Sequence, residues 1–165
     1  MTSSAVGLRP PRHRVRRRAI GWWTARSLLG AAPLLGGLGV AYTLVPAARP
    51  TLGPALVVVA VLAAGHAAVV PTWRYAVHRW ETTDEAVYAA SGWFVRQWRV
   101  APMSRIQTVD RVAGPLQQLF DLATVTVTTA SAQGPVKLVG LAADEAAHTA
   151  RQLTELVRGT PGDAT

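Results

Sequence analysis

The chain of 165 residues contains no cysteine, which excludes disulfides and thiolate metal sites outright. No acidic residue precedes Glu81, and residues 27–45 (SLLGAAPLLGGLGVAYTLV) and 52–70 (LGPALVVVAVLAAGHAAVV) contain no Asp, Glu, Lys or Arg at all. The spacings that carry catalysis are also missing. There is no Ser-x-x-Lys, Gly-x-Ser-x-Gly or P-loop pattern, and GLRPP and GGLG have no strand-turn-helix context for holding a phosphate. His13, His78 and His148 are scattered without the spacing of a metal site. Glu81, Asp84 and Glu85 cluster in ETTDE, which reads as a solvated turn and not as a buried acid-base pair. The chain therefore reads as a non-enzyme with no cofactor and no metal ligands.

What is present is dominated by the two uncharged runs. About 18 consecutive apolar residues suffice for a helix to cross a bilayer, so two spans are expected, joined through PAARPT. The core of a cleaved signal peptide runs about 7–15 residues, shorter than either run. Gly37/Ala41, Ala60/Ala64 and Ala64/Ala68 carry the small-xxx-small spacing of close helix packing, which predicts an antiparallel hairpin. His66, an ionisable residue inside the second run, is expected as a neutral imidazole bonded within the hairpin.

Charge orients this hairpin. Arg9, Arg12, Arg14, Arg16, Arg17, Arg18 and Arg26 precede the first run, only Arg49 lies between the runs, and Arg74 and Arg79 follow the second. Excess arginine marks the cytoplasmic side, so both termini are expected on the cytoplasmic side, with a short loop outside. Trp22, Trp23 and Trp73 are then expected at the membrane interface. The formal charge of +8 is no nucleic-acid footprint, because from residue 71 onward nine basic residues balance nine acidic ones. The excess lies in Arg49 of the short loop and in residues 1–26, which read as a disordered arm. Its Arg16, Arg17 and Arg18, together with Arg26, are expected to meet anionic lipid at about 1 kcal/mol per residue.

After residue 70 the pattern changes to short stretches rich in β-branched and aromatic residues: RYAVHRWET, EAVYAASG, WFVRQWRVAP, RIQTVD, ATVTVTTA and PVKLVG. Turn residues bound each of them. Connections this short require antiparallel pairing. ADEAAHTARQLTELVRG closes the chain as an amphipathic helix, with Asp144 and Glu145 in its first turn and Arg158 in its last. The fold class is α+β: a hairpin at 27–70, a β-domain at 71–158 and a flexible tail at 159–165.

Trp80-Glu81-Thr82, Gly92 in SGWFVR, Pro102-x-x-Arg105-Ile106-Gln107 and the run Leu119-Phe120-Asp121-Leu122-Ala123-Thr124-Val125 occur here in the order seen in one family. In these residues the chain resembles the YdbS-like bacterial pleckstrin-homology (PH-like) proteins. The resemblance implies a cytoplasmic, strongly bent sheet of about seven strands capped by the C-terminal helix, with no catalytic residues. The chain departs from that pattern at Gln117-Gln118, where the family commonly has a basic residue.

Arg105, Gln107 and Arg111 are read as a polar strip on one strand; the competing reading pairs Arg105 with Asp110 or Asp121 at a turn. Leu116, Leu119 and Phe120 are expected in the core, the alternative being an exposed lip carrying Gln118 and Leu119. With no chemistry in the domain, the expected function is protein-protein assembly at the membrane, with another membrane protein or with itself. The alternative is an anionic-lipid sensor using the arm together with Arg96, Arg99 and Arg105.

Overall fold

The computed structural model describes residues 11–92, 95, 97–130 and 134–159. The tail beyond 159 and the first ten residues of the arm lie outside them. Strand β1 (His13–Arg14) leads into helix α1 (Arg18–Leu44), a 3-10 turn (Pro46–Ala48) and helix α2 (Arg49–Val77). Strands β2 (Arg79–Thr82), β3 (Ala86–Ser91), β4 (Gln97–Pro102) and β5 (Ile106–Val112) follow. Helix α3 (Pro115–Leu119), strands β6 (Leu122–Thr129) and β7 (Val136–Ala142) and helix α4 (Ala143–Gly159) complete the chain.

The hairpin exposes the apolar side chains that a soluble core helix would bury. Leu28, Leu29, Leu34, Val40 and Leu44 on α1 and Val57, Val58, Val61, Leu62 and Val69 on α2 all face outward. A hydrocarbon phase is the solvent in which that surface is stable. Arg49, the single charge between the helices, is fully used. Its Nε donates to the Tyr42 carbonyl at 3.1 Å and an Nη to the Thr43 carbonyl at 3.4 Å, so it satisfies carbonyls that the end of α1 would otherwise leave unpaired.

Two antiparallel sheets follow, in the orders β1-β2-β3-β4 and β5-β6-β7. In β6 Val125 and Val127 are buried while Thr124, Thr126 and Thr128 are less so, the alternation expected of a half-buried strand. Leu122, Leu138, Leu141 and Val87 fill the core, and α4 covers it with Ala146, Thr149 and Leu153.

The expectation of a disordered arm over residues 1–26 is corrected for its described part. Residues 11–26 are built into the domain: β1 pairs with Arg79 and Trp80, and Val15, Ala19, Trp22 and Trp23 belong to the core. These four recur at helical spacing, an apolar stripe that neighbouring arginines obscure in the sequence. The stripe packs on β7 at Gly140. This glycine is the extra residue of a bulge between Ala123 and Thr124 on β6, and its φ of +80° is one that L-residues avoid. A Cβ there would lie 3.1 Å from the Ala19 Cβ. Nearby, the Arg16 backbone N–H donates to the Gly140 carbonyl at 3.3 Å.

The expected second span also continues further, since α2 runs through Pro71 to Val77 and RYAV is helical. Proline leaves the carbonyl four residues earlier without its helical donor. That carbonyl is Ala67 O, and it accepts a bond from Thr24 Oγ1 on α1 at 3.4 Å. The neighbouring helix thus repairs the break, as membrane helices commonly do.

Two substitutions test this joint. Gly140→Ala is expected to destabilise the folded protein by about 1–3 kcal/mol, from forced backbone strain and the close approach to Ala19, and to speed tryptic cleavage at Arg16–Arg18. Thr24→Val is expected to cost about 1 kcal/mol by orphaning the Ala67 carbonyl. Unfolding in detergent with tryptophan fluorescence measures both.

Candidate functional site

The residues expected to form a polar strip lie along β5 and α3, but they do not form one cluster. Ile106 is buried, Val109 is half-buried, and the other five residues of β5 are exposed. A bulge between Ile106 and Thr108 makes Gln107 the extra residue, which breaks the simple alternation with Arg105. Arg105 sits in the 3-10 turn Met103–Arg105. Arg111 lies toward the opposite end of β5, roughly 15–20 Å away at about 3.3 Å per residue. Among the described residues Arg105 pairs with neither expected partner. Asp121 pairs with Arg18 at 3.0 Å, and Asp110 accepts from Thr108 Oγ1 at 3.2 Å.

Helix α3 stands at the Arg111 end. Pro115 occupies its first position, where a missing N–H costs nothing. Gln117 is buried: its Oε1 accepts the Gly114 N–H at 3.2 Å and its Nε2 donates to Thr124 Oγ1 at 2.9 Å. Gln118 Nε2 donates to the Ala113 carbonyl at 2.9 Å, so this exposed side chain braces the β5-α3 turn. Leu116 and Phe120 pack on the core, with Phe120 closing on Gly21 of α1. Leu119 does not join them, and it is 79% exposed. The expected apolar group therefore splits: two residues anchor the helix, and the third is an exposed lip next to Gln118 in the chain.

The residues expected at the membrane interface divide as well. Arg16 pairs with Glu145 at 3.3 Å and Arg18 with Asp121, so these two arm cations engage domain carboxylates. Trp22 and Trp23 are only 6% and 4% exposed and belong to the domain core, with their rings against each other and Trp23 against His78. Arg17, Arg26 and Trp73 remain exposed. His66 is exposed on α2 and has no hydrogen bond among the described residues, so the expected bond within the hairpin is absent.

Residues 31–157 match the family model described as the bacterial PH domain. The chain belongs to this bacterial PH-domain family. The match begins inside α1 and ends within α4, so it takes in the later part of α1, all of α2 and nearly all of the domain. Over 95 residues the chain is 33% identical to the UPF0699 transmembrane protein YdbS of Bacillus subtilis (strain 168), an alignment covering 58% of each protein. No solved structure matches it. The outward-facing apolar helices and the transmembrane relative agree on a membrane protein carrying a PH-like domain of α+β class.

One titratable group of this PH-domain protein sits where helix becomes sheet. His78 is the single residue between α2 and β2, and its ring lies 5.2 Å from that of Trp23. The Arg74 carbonyl accepts its backbone N–H at 2.8 Å and lies 3.0 Å from its Nδ1, which fixes Nδ1 as a protonated nitrogen. Burial lowers its pKa from the ordinary 6.5; the bond to the Arg74 carbonyl opposes this, and the Arg74 charge adds to it. Above pH 6.5 the ring is neutral whether the chain is folded or not. As pH falls below 6.5, the unfolded chain takes up a proton that the folded chain resists, so stability is lost until the lowered folded pKa is reached. Wild type is therefore expected to lose more stability than His78→Asn between pH 7.5 and 5.5. Paired unfolding curves at the two pH values check this.

Proposed function

We propose that the protein is a non-enzymatic, membrane-anchored PH-like module that docks a second membrane protein along β5 and the α3 lip, at the cytoplasmic face of a bacterial cell membrane with both its termini inside. The observation that carries the reading is the combination of an edge strand with five exposed residues and a leucine that is 79% exposed at its end. A large apolar side chain held outward by a braced turn is the usual centre of a docking surface. Arg111 and Gln118 would supply the polar rim around it, with Gln107 and Arg105 at the far end.

The edge is also guarded against indiscriminate strand pairing. Asp110 and Arg111 charge it and the bulge at Gln107 distorts it, two devices that suppress promiscuous edge contacts. A partner must therefore match the lip as well as the strand. The direct run of α2 into β2 keeps the domain close to the hairpin, which supports a partner in the same membrane. The arginine distribution supports the orientation, because seven arginines precede the first uncharged run and only Arg49 lies between the two runs. A sensor reading anionic lipid through the arm is less favoured, since Arg16 and Arg18 engage Glu145 and Asp121.

The test places a photo-crosslinking residue at Leu119, and separately at Gln118, in the full-length chain in its own membrane. A recurrent adduct to one other membrane protein is expected, and Leu119→Asp, read through a crosslinker at Val112, should abolish it while shifting stability by no more than about 0.5 kcal/mol. Adducts to lipid alone, or to many unrelated proteins, would overturn the docking reading.

A further inference from the structure

Three large apolar side chains stand exposed where α2 ends and the first sheet begins: Trp73 on α2 is 52% exposed, Val95 in the β3-β4 connection 64%, and Trp98 on β4 46%. Single exposed apolar residues are ordinary on any protein surface. These three gather at the level where the hairpin leaves the membrane. The strand register sets that level. Ser91 and Gln97 form the last pair of β3 with β4, and Gly92 just beyond it lines a cleft together with Arg74 and His78. Ala90, Ser91 and Trp98 line another cleft, of about 260 Å³, with Ala76 and Val77 of α2. The β3-β4 connection therefore turns back alongside the last turns of α2.

Helix geometry converts this into depth. Residues 52–70 span about 28 Å at about 1.5 Å per residue, close to the roughly 30 Å of a bilayer's hydrocarbon, and the headgroups add about 5–7 Å on each side. On that scale Trp73 lies about 4–5 Å past Val70, Arg74 about 6 Å and Val77 about 10 Å. Trp73 thus sits among the headgroups, the β3-β4 connection beside Arg74 meets the same layer, and Trp98 beside Val77 stands at its outer edge. The surface is also continuous with the membrane-facing side of α2. Leu62 and Val69 are exposed on α2, and Leu62, Val69, Trp73 and Val77 follow at seven- and four-residue spacing along one helix face. Among the described residues lining the Trp98 cleft, Arg79 alone is charged.

We propose that Val95 and Trp98, with Trp73 beside them, seat in the headgroup layer of the bilayer that the hairpin spans, so that the first sheet touches the lipid surface directly. An indole suits that boundary, since its ring is apolar and its N–H can bond to headgroups or water. The contact is apolar, so it calls for no anionic lipid. It does not depend on the docking reading of β5, which lies in the other sheet.

The chain has no cysteine, so Val95→Cys, Trp98→Cys and Asp84→Cys each create a single labelling site. Asp84 is exposed beyond the other end of β3, about 15–20 Å from Ala90, the partner of Trp98, at about 3.3 Å per residue. Each full-length variant carries a nitroxide in phosphatidylcholine nanodiscs, one copy per disc, and its collisions with a water-soluble nickel chelate are measured. The labels at 95 and 98 are expected to be several-fold less accessible to the chelate than the label at 84, and to stay so when phosphatidylglycerol replaces part of the phosphatidylcholine. Val95 is the more exposed of the two, so its variant carries the test alone should Trp98→Cys not fold. Equal accessibility at 95 and 84 would overturn the contact. Protection that appears only with phosphatidylglycerol would make it a charge contact, and protection found only in discs holding two copies would assign the patch to a second copy of the chain; either result overturns the proposal.

Discussion

The start of α1 is buried in the core of the β-domain, and the rest of the molecule depends on that packing. Val15, Ala19, Trp22 and Trp23 stand among the sheet residues. Each large apolar side chain removed from water contributes about 1.5–3 kcal/mol, whereas the exposed ion pairs Arg16–Glu145 and Arg18–Asp121 contribute about 0–1 kcal/mol apiece. Apolar burial therefore holds the N-terminal segment, and the charges fix its register. The segment needs both: Gly140 lets the backbones approach, and the salt bridges sit on either side of that contact.

Because α1 begins inside the domain and α2 reaches β2 through His78 alone, the domain is attached to the membrane hairpin at two points with no linker. A single connection would allow the domain to swing, and two packed connections remove that freedom. The weakest place in this arrangement is Pro71, fully buried in the helix that carries one connection. Thr24 from α1 supplies the donor that Pro71 cannot, so one helix repairs the other at the level where hairpin becomes domain. Trp23 then stacks beside His78 and completes the joint.

Much of this was legible in the sequence, for identifiable reasons. The spans announce themselves by the absence of charge, since hydrocarbon tolerates almost none. The Val/Thr alternation of β6 and the caps of α4 are local signals and survive folding unchanged. Residues 11–26 were not legible, because their composition resembles a solvated arm while their apolar positions form a helical stripe only when counted by threes and fours. Pro71 looked like a helix end because a proline ordinarily is one; the Thr24 donor is 43 residues away in sequence, beyond any local signal. The polar strip was legible as residue types on β5, but the bulge at Gln107 and the distance between Arg105 and Arg111 depend on pairing with β6.

Part of the positive charge has a structural place. Arg16 and Arg18 meet domain carboxylates, and Arg49 bonds carbonyls at the far end of α1, whereas Arg17 and Arg26 remain exposed. Rigidity bears on the proposed docking edge. A partner meeting β5 encounters a strand and a leucine already held in position by Gln117, Gln118 and the welded hairpin, so little ordering entropy is lost on contact. A flexible tether would serve to search for partners at varied distances from the membrane. On the proposed docking reading, two rigid attachments suit a partner found at one height, which favours one fixed in the same bilayer.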